Sequence, residues 1–368
     1  MQKKLIVLAS ASVLASAIAA PVFAQSSNVQ IYGLVDVGLE VGNSGFGTKT
    51  RIQSGQSQGS RIGFKGEEAL GNGLAAFFTI ESGFSLDNGQ TTVNGAIANT
   101  TDSASTAKPL FQRQALAGFK GGWGQLSAGR QYTPAYIITA TVDPFSAGLG
   151  GQFPAVLRSL PAVSQRYDNS AMYVSPDMSG FKLLSMYSTG YENNTRNTAL
   201  NNDRAGEAWT LAGQYANGPA YAGLSYQEAY RTSNAVKAQS WLWVGSWDFK
   251  VVKVSALWSE GDTDNSVINI VDERNWSVGL SAPLGTAAKL LFTYGDHNDK
   301  LAANADARIW SLGGEYALSR RTALYAAYTK IENENASAWA IHSALFSGLK
   351  TTGSYDPYAV QFGLRHSF

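Results

Sequence analysis

Pro357-Tyr358-Ala359-Val360-Gln361-Phe362-Gly363-Leu364-Arg365-His366-Ser367-Phe368 closes the chain, and it alternates from end to end. Even positions carry Tyr, Val, Phe, Leu, His and Phe. Odd positions carry Pro, Ala, Gln, Gly, Arg and Ser. A side-chain period of two belongs to a strand with one apolar and one polar face. The pattern holds to the last residue, where chains ordinarily fray. A long two-faced strand that ends on an aromatic suits a closed barrel with lipid outside and water inside.

Other segments repeat the pattern. Across 29–40, Ile31, Val35, Val37 and Leu39 share one face and Gln30, Tyr32, Asp36 and Glu40 the other. In 275–281 and 252–258 the even residues are mostly apolar, with Lys253 and Ser255 opposite, and 289–295 follows with one lapse. The segments 111–121 and 322–332 give no clear face. Short turns rich in Gly, Asn, Asp, Ser or Pro fall near 70–73, 121–124, 177–180, 217–219, 248–250, 283–286 and 319–321. Their chemistry is that of tight hairpins. Longer polar loops lie between them, at about 41–58, 87–110, 134–164, 191–207, 231–237, 261–272, 298–305 and 333–353. Seven short turns and eight long loops join sixteen strands. The expected fold class is therefore all-β, a 16-stranded antiparallel transmembrane barrel with short periplasmic turns and long extracellular loops. Both termini fall on the short-turn side.

Composition agrees. The 368 residues include 38 Gly, 17 Tyr, 16 Phe and 9 Trp, only 15% are charged, and there is no cysteine. An exported chain without disulfides must be held by other means, and a closed hydrogen-bonded sheet does so. Export is expected from the beginning of the chain. Lys3-Lys4 is a basic start, Leu5 to Ala20 is apolar, and Val22-Phe23-Ala24 has the small-x-small form of a cleavage site. Residues 1–24 read as a signal peptide for Sec-type export, with one barrel domain over 25–368. The apolar run is too short to span as a helix, which takes roughly 20 residues. No later stretch reaches about 18 consecutive apolar residues. Without Lys3 and Lys4, the 28 basic residues fall to 26, against 27 acidic ones. Such a balance makes no case for a nucleic-acid partner. Trp241, Trp243, Trp247, Trp258, Tyr328 and Tyr358 stand near strand ends, as interfacial girdles do. A soluble propeller or sandwich would also alternate, but no blade repeat is present.

Catalytic constellations do not emerge. The three histidines, His297, His342 and His366, are far apart in sequence. Without cysteine there is no thiol nucleophile or thiolate metal site. Neither a G-x-S-x-G elbow nor a phosphate loop occurs. Gly42-Asn43-Ser44-Gly45-Phe46-Gly47 runs from a strand into a polar loop, with no helix pattern behind it. Asp262, Asp264, Asp272 and Glu273 lack the spacing of a calcium loop and read as solvated. No cofactor, metal or catalytic residue is expected. A barrel enzyme would need a complete catalytic set at one rim, and an adhesin or anchor would need a plugged lumen.

Basic residues on strands stand out instead. In Ser60-Arg61-Ile62-Gly63-Phe64-Lys65-Gly66, Arg61 and Lys65 lie opposite Ile62 and Phe64. Arginine facing lipid at mid-membrane costs about 2–4 kcal/mol, so these cations belong in the lumen. Arg113, Arg130 and Arg166 also occupy strand-like segments or their ends.

The segment from Ser60 to Phe84 resembles one shared by general porins of β-proteobacteria. So do Gly118-Phe119-Lys120-Gly121 through Gly129-Arg130-Gln131-Tyr132, the opening Ile31-Tyr32-Gly33-Leu34-Val35-Asp36 and the closing Gly363-Leu364-Arg365-His366-Ser367-Phe368. The likeness spans nearly the whole chain after the leader, with mild departures at Ala69 and Lys120. It implies a homotrimer in the cell outer membrane that passes small ions and hydrophilic solutes by diffusion. It also implies a third long loop, about 134–164, folded into the lumen as a constriction. Arg61, Arg113, Arg130 and Arg166 then match the family's basic wall, with Glu81 and Asp143 opposing. Asp36, Lys65 and Arg158 are further pore-lining candidates. Phe368 matches the terminal residue read by the barrel-assembly machinery, and lipid and lipopolysaccharide would surround the barrel. Four arginines against two carboxylates imply a preference for anions. A substrate-specific channel for organic acids or sugars is the alternative on the same fold.

Overall fold

The computed structural model describes residues 28–91, 109–153, 160, 162–190, 204, 206–230, 237–264, 271–301, 303–341 and 354–368. The expected leader and Arg158 lie outside them. The strands are β1 (Asn28–Asn43), β2 (Thr48–Ser54), β3 (Arg61–Gly71), β4 (Leu74–Gly83), β5 (Gln114–Gly121) and β6 (Gly124–Tyr132). A helix, α1 (Pro134–Val142), separates these from β7 (Arg166–Val174), β8 (Phe181–Thr189), β9 (Glu207–Asn217), β10 (Ala220–Tyr230) and β11 (Lys237–Asp248). The chain ends with β12 (Lys253–Asp264), β13 (Asp272–Leu284), β14 (Ala288–Asp299), β15 (Ala307–Ala317), β16 (Thr322–Asn333) and β17 (Tyr358–Ser367).

All pairings are antiparallel; apart from β1 with β3 they join chain neighbours, and β17 returns to β1, which closes the sheet. Seventeen segments make sixteen barrel positions, because β2 and β3 share one. β1 pairs with β3 over Asn28–Leu34 and with β2 over Val37–Asn43. The break between them, residues 55–60, lies in the stretch expected as the end of a plain loop. Most of that stretch is instead strand. No described helix is long and apolar enough to cross a membrane.

Alternation decides which side chains face out. In β17, Val360, Phe362 and Leu364 are exposed, as is Phe368 just after it, while Ala359 and Gln361 are buried inside. In β1, Val29 and Ile31 are exposed and Asp36 and Glu40 are buried. Outward aromatics form belts across neighbouring strands. Trp209 meets Tyr226 at 5.2 Å, Tyr226 meets Trp241 at 4.6 Å, and Trp310 meets Tyr328 at 5.2 Å. Near the short turns, Trp123 stacks on Tyr173 and Trp247 leans on Phe249. Rings with polar tips suit the two edges of the hydrocarbon layer.

The seam depends on one glycine. Gly33 and Phe368 exchange backbone hydrogen bonds of 3.1 and 3.0 Å. A Cβ at Gly33 would stand 2.2 Å from the Phe368 ring. The last side chain therefore packs over the first strand only because that strand has no side chain there.

Candidate pore constriction

The loop after β6 turns inward. Thr133 caps α1, its hydroxyl accepting from the Tyr136 N–H at 3.2 Å, and Pro134 follows at the first helical position. Both satisfy the open start of a helix. Ala135, Ile138, Thr139 and Val142 fall on one face and are buried. Ala135, Ile138 and Val142 pack with Leu242, Val244 and Leu257, inward residues of β11 and β12, and with Phe153, Leu160 and Val163 of the loop itself. Further along, Phe145 and Leu149 pack on Leu291, Tyr325 and Ala327. The Gly150 N–H donates to Gln361 Oε1 at 3.0 Å, and Thr293 Oγ1 donates to the Gly151 carbonyl at 2.8 Å. The loop thus covers the wall from β8 to β17 and leaves the β1–β6 wall open.

Residues 55–60 bend inward from the open wall and meet the loop tip. The Leu149 N–H donates to the Gln56 carbonyl at 2.6 Å. A Cβ on Gly148 would lie 1.5 Å from the Ser57 carbonyl oxygen, so only glycine permits the approach. Asp36 fastens this platform. Its carboxylate accepts from the Gln56 and Gln58 N–H groups, at 3.1 and 2.8 Å, and from the Tyr325 hydroxyl at 2.7 Å.

Between loop and open wall lies a cavity of about 490 Å³, lined on the wall side by Tyr32, Arg61, Lys65, Glu81, Arg113 and Tyr132. The loop side contributes Tyr136, Ala140, Ser146 and Ala147. Arg113 Nε donates to Glu81 Oε1 at 2.6 Å, and Arg61 Nε lies 3.7 Å from Glu81 Oε2. The Tyr32 hydroxyl donates to the same carboxylate at 3.0 Å. Arg113 also donates to the Tyr132 hydroxyl at 2.9 Å. Tyr132 stacks on Tyr136 at 5.1 Å, which joins the wall to the helix. Lys65 sits 5.4 Å from the Tyr32 ring.

The expected site residues separate into groups. Arg61, Arg113, Glu81 and Lys65 come together at the cavity. Arg166 stands behind it: buried, it lies 4.1 Å over the Tyr132 ring and donates to that hydroxyl at 2.6 Å. Arg130 is not among the lining residues. A bulge shifts the register between Gly129 and Gln131, and Arg130 pairs with Ala115, on the face that carries exposed Phe119. Its guanidinium is held by Asp168 and by the Gln112 carbonyl. Asp143 does not oppose the arginines. It ends α1 and accepts the N–H groups of Phe145 and Ala147 at 3.0 and 2.7 Å. Burial outweighs these bonds and pushes its carboxyl up to about 7. Asp36 braces the platform rather than lining the cavity, and Phe368 sits at the seam. Among the described residues no group of three or more His, Cys, Asp or Glu gathers as a metal site.

The pattern did not single out the tyrosines. Tyr32 was legible as an inward residue of β1, but nothing in the spacing marks Tyr132 and Tyr136 as a stacked pair across a helix start.

A closed sixteen-position barrel, apolar outside and narrowed inside by its own loop, defines a membrane pore. The family profile described as Gram-negative porin matches residues 9–336, and the chain belongs to that family. It is an integral β-barrel of the outer membrane that conducts solutes passively. Its relatives include an outer membrane porin protein of Bordetella pertussis, 29% identical over 93% of this chain and 94% of that one. Outer membrane porin protein 32 of Delftia acidovorans is 29% identical over 100% of both chains. Among solved structures, an anion-selective porin from Comamonas acidovorans superposes with a TM-score of 0.81 at 24% identity, over 93% of this chain and 100% of that one. The trimer form of OmpT from Vibrio cholerae gives 0.68 at 15% identity, over 93% and 100%.

Proposed function

We propose that the pore prefers anions and that the preference is set on one wall. The observation that carries this is the charge at the cavity: Arg61, Lys65 and Arg113 against the single carboxylate Glu81. Arg113 neutralises Glu81 at close range, which leaves Arg61 and Lys65 as surplus charge. Across the gap, Ala140, Ser146 and Ala147 supply no charge. A unit charge at 4 Å is worth about 1 kcal/mol in bulk water and about 4 kcal/mol at an effective dielectric of 20. Two uncompensated cations in a narrow zone are therefore enough to decide which ion enters. Guanidinium stays charged at any ordinary pH. On this reading the constriction carries a one-sided positive patch in place of the basic wall opposed by Asp143.

The same reading takes residues 1–24 as a cleaved leader, the working unit as a homotrimer, and Phe368 as the contact for the barrel-assembly machinery, with lipopolysaccharide around the outer belt. It assigns transport and no catalysis. The porin named anion-selective and the OmpT trimer support it by likeness of fold. The test is a planar-bilayer recording of the wild-type protein under a KCl gradient. A zero-current potential of the chloride sign is expected, and one of the potassium sign overturns the proposal.

A further inference from the structure

We infer that the periplasmic mouth holds a second, separate anion-binding station, fitted to small multivalent oxyanions such as tricarboxylates. The short turn between β15 and β16 carries Arg320 and Arg321 side by side, both exposed. Lys289 of β14 and Arg365 of β17 complete a cluster around a cavity of about 370 Å³. One carboxylate, Glu315, serves it, 3.0 Å from Lys289 Nζ and 3.3 Å from Arg365 Nη2. Arg320 and Arg321 form no ion pair among the described residues. Four cations thus face one anion, and Glu315 pairs with only two of them, Lys289 and Arg365, which leaves Arg320 and Arg321 outside the ion pairs.

The chemistry selects the ligand. The station is open to water, and at 0.15 M salt charges are screened beyond about 8 Å. A monovalent ion gains little there. The attraction multiplies with ligand charge, and paired guanidinium groups suit carboxylate oxygens by bidentate hydrogen bonding. Ser367 lines both this cavity and the constriction. Arg365 Nη1 also donates to Ser57 Oγ, on the inward platform, at 3.0 Å. An oxyanion that leaves the constriction therefore passes directly to the station, and one that arrives from the periplasm meets it first.

Citrate serves as the probe, added in turn to each side of bilayers held in 0.1 M KCl, with block of chloride current as the readout. Wild-type channels should be blocked at lower citrate from the periplasmic side. Arg320→Gln with Arg321→Gln should raise the blocking concentration on that side on the order of tenfold, the weight of two screened charges on a trivalent ion. The zero-current potential in a KCl gradient should stay as in the wild type. Arg320→Lys with Arg321→Lys should keep most of the block. Equal block of wild type and the glutamine double variant overturns the inference. So does loss of block from both sides together with a moved zero-current potential, since the charges would then act only through the constriction. Loss in the lysine variant as large as in the glutamine one also overturns it. If the double variant does not insert, Arg321→Gln alone should show a weakening of roughly threefold by the same reasoning. The wild-type KCl potential tests the anion preference independently, so the two can fail separately.

Discussion

The two walls of the lumen are built from the same alternating strands, yet they do opposite work. From β9 to β12 the buried inward positions are uncharged: Ala208, Ala212, Ala238, Leu242, Val244 and Leu257 alternate with Thr210, Gln227, Ser240 and Ser255. From β1 to β5 the inward positions and strand ends carry Tyr32, Arg61, Lys65, Glu81 and Arg113. An apolar inner wall in a water-filled pore must be covered, and α1 with its loop covers it. The charged wall needs no cover and stays wet. Where the constriction lies is therefore decided on the wall that solutes do not touch. On the proposed reading, what it prefers is decided on the charged wall.

The largest expected effect comes from uncovering the apolar wall. Ile138→Asp places a carboxylate in a fully buried apolar cluster. Burying an unpaired charge costs several kcal/mol, more than a lumenal loop can absorb. The loop should detach while the barrel, closed by its own ladder, remains. Single-channel conductance should rise and ion preference should weaken. Unchanged conductance in a folded variant would separate the loop from the constriction.

Closing the seam is next. Gly33→Val drives a branched side chain into the Phe368 ring, and overpacking of this kind costs about 1–3 kcal/mol. The folded barrel should lose its resistance to heating in detergent at a lower temperature than the wild type. Deleting Phe368 should mainly lower the amount assembled in the outer membrane. A smaller effect is expected at the platform between the walls. Asp36→Ala leaves the buried Gln56 N–H, the half-buried Gln58 N–H and the Tyr325 hydroxyl without their acceptor, at about 1–3 kcal/mol for each buried group left unsatisfied. Residues 55–60 should loosen under the loop tip, and open-channel current noise should increase with little change in ion preference.

The smallest effect is a pH dependence. With its carboxyl pushed up to about 7, Asp143 is mostly neutral at pH 6 and mostly charged at pH 8. The added negative charge should reduce anion preference slightly as pH rises across that interval. Asp143→Asn should abolish this component, and comparing the two proteins isolates it from other titrating groups.

Much of the barrel could be read directly. The period of two in 357–368 and 29–40 assigned faces that the structure keeps, down to Arg61 and Lys65 inside and Ile62 outside. The turn chemistry placed the hairpins. What escaped has physical reasons. Arg130 shares the parity of exposed Leu126, so counting along β6 turns it outward; only the resemblance placed it on the wall, and the extra residue of the irregularity beside it lies on β7. Arg166 is an inward residue taken out of the water by Tyr132, and stacking between distant elements leaves no periodic trace. Asp143 looks like a free acid in Val142-Asp143-Pro144-Phe145, but a carboxylate at a helix end can equally accept the N–H groups of the turn that follows, and here it does. The break between β2 and β3 was invisible because Gly55 to Ser60 reads as an ordinary polar loop.

The central claim is that the open wall alone sets the sign of selectivity. The most direct measurement compares zero-current potentials in one KCl gradient for Arg61→Gln with Arg113→Gln and for Asp143→Asn. Both are recorded at 0.1 M and again near 1 M salt, where the Debye length falls from about 10 to about 3 Å. We predict that the arginine pair moves the potential strongly towards potassium at low salt and less at high salt, while Asp143→Asn barely moves it. A shift by Asp143→Asn as large as that of the arginine pair, in the chloride direction, would mean that the loop carboxylate faces the arginines across the pore and would contradict the one-sided account.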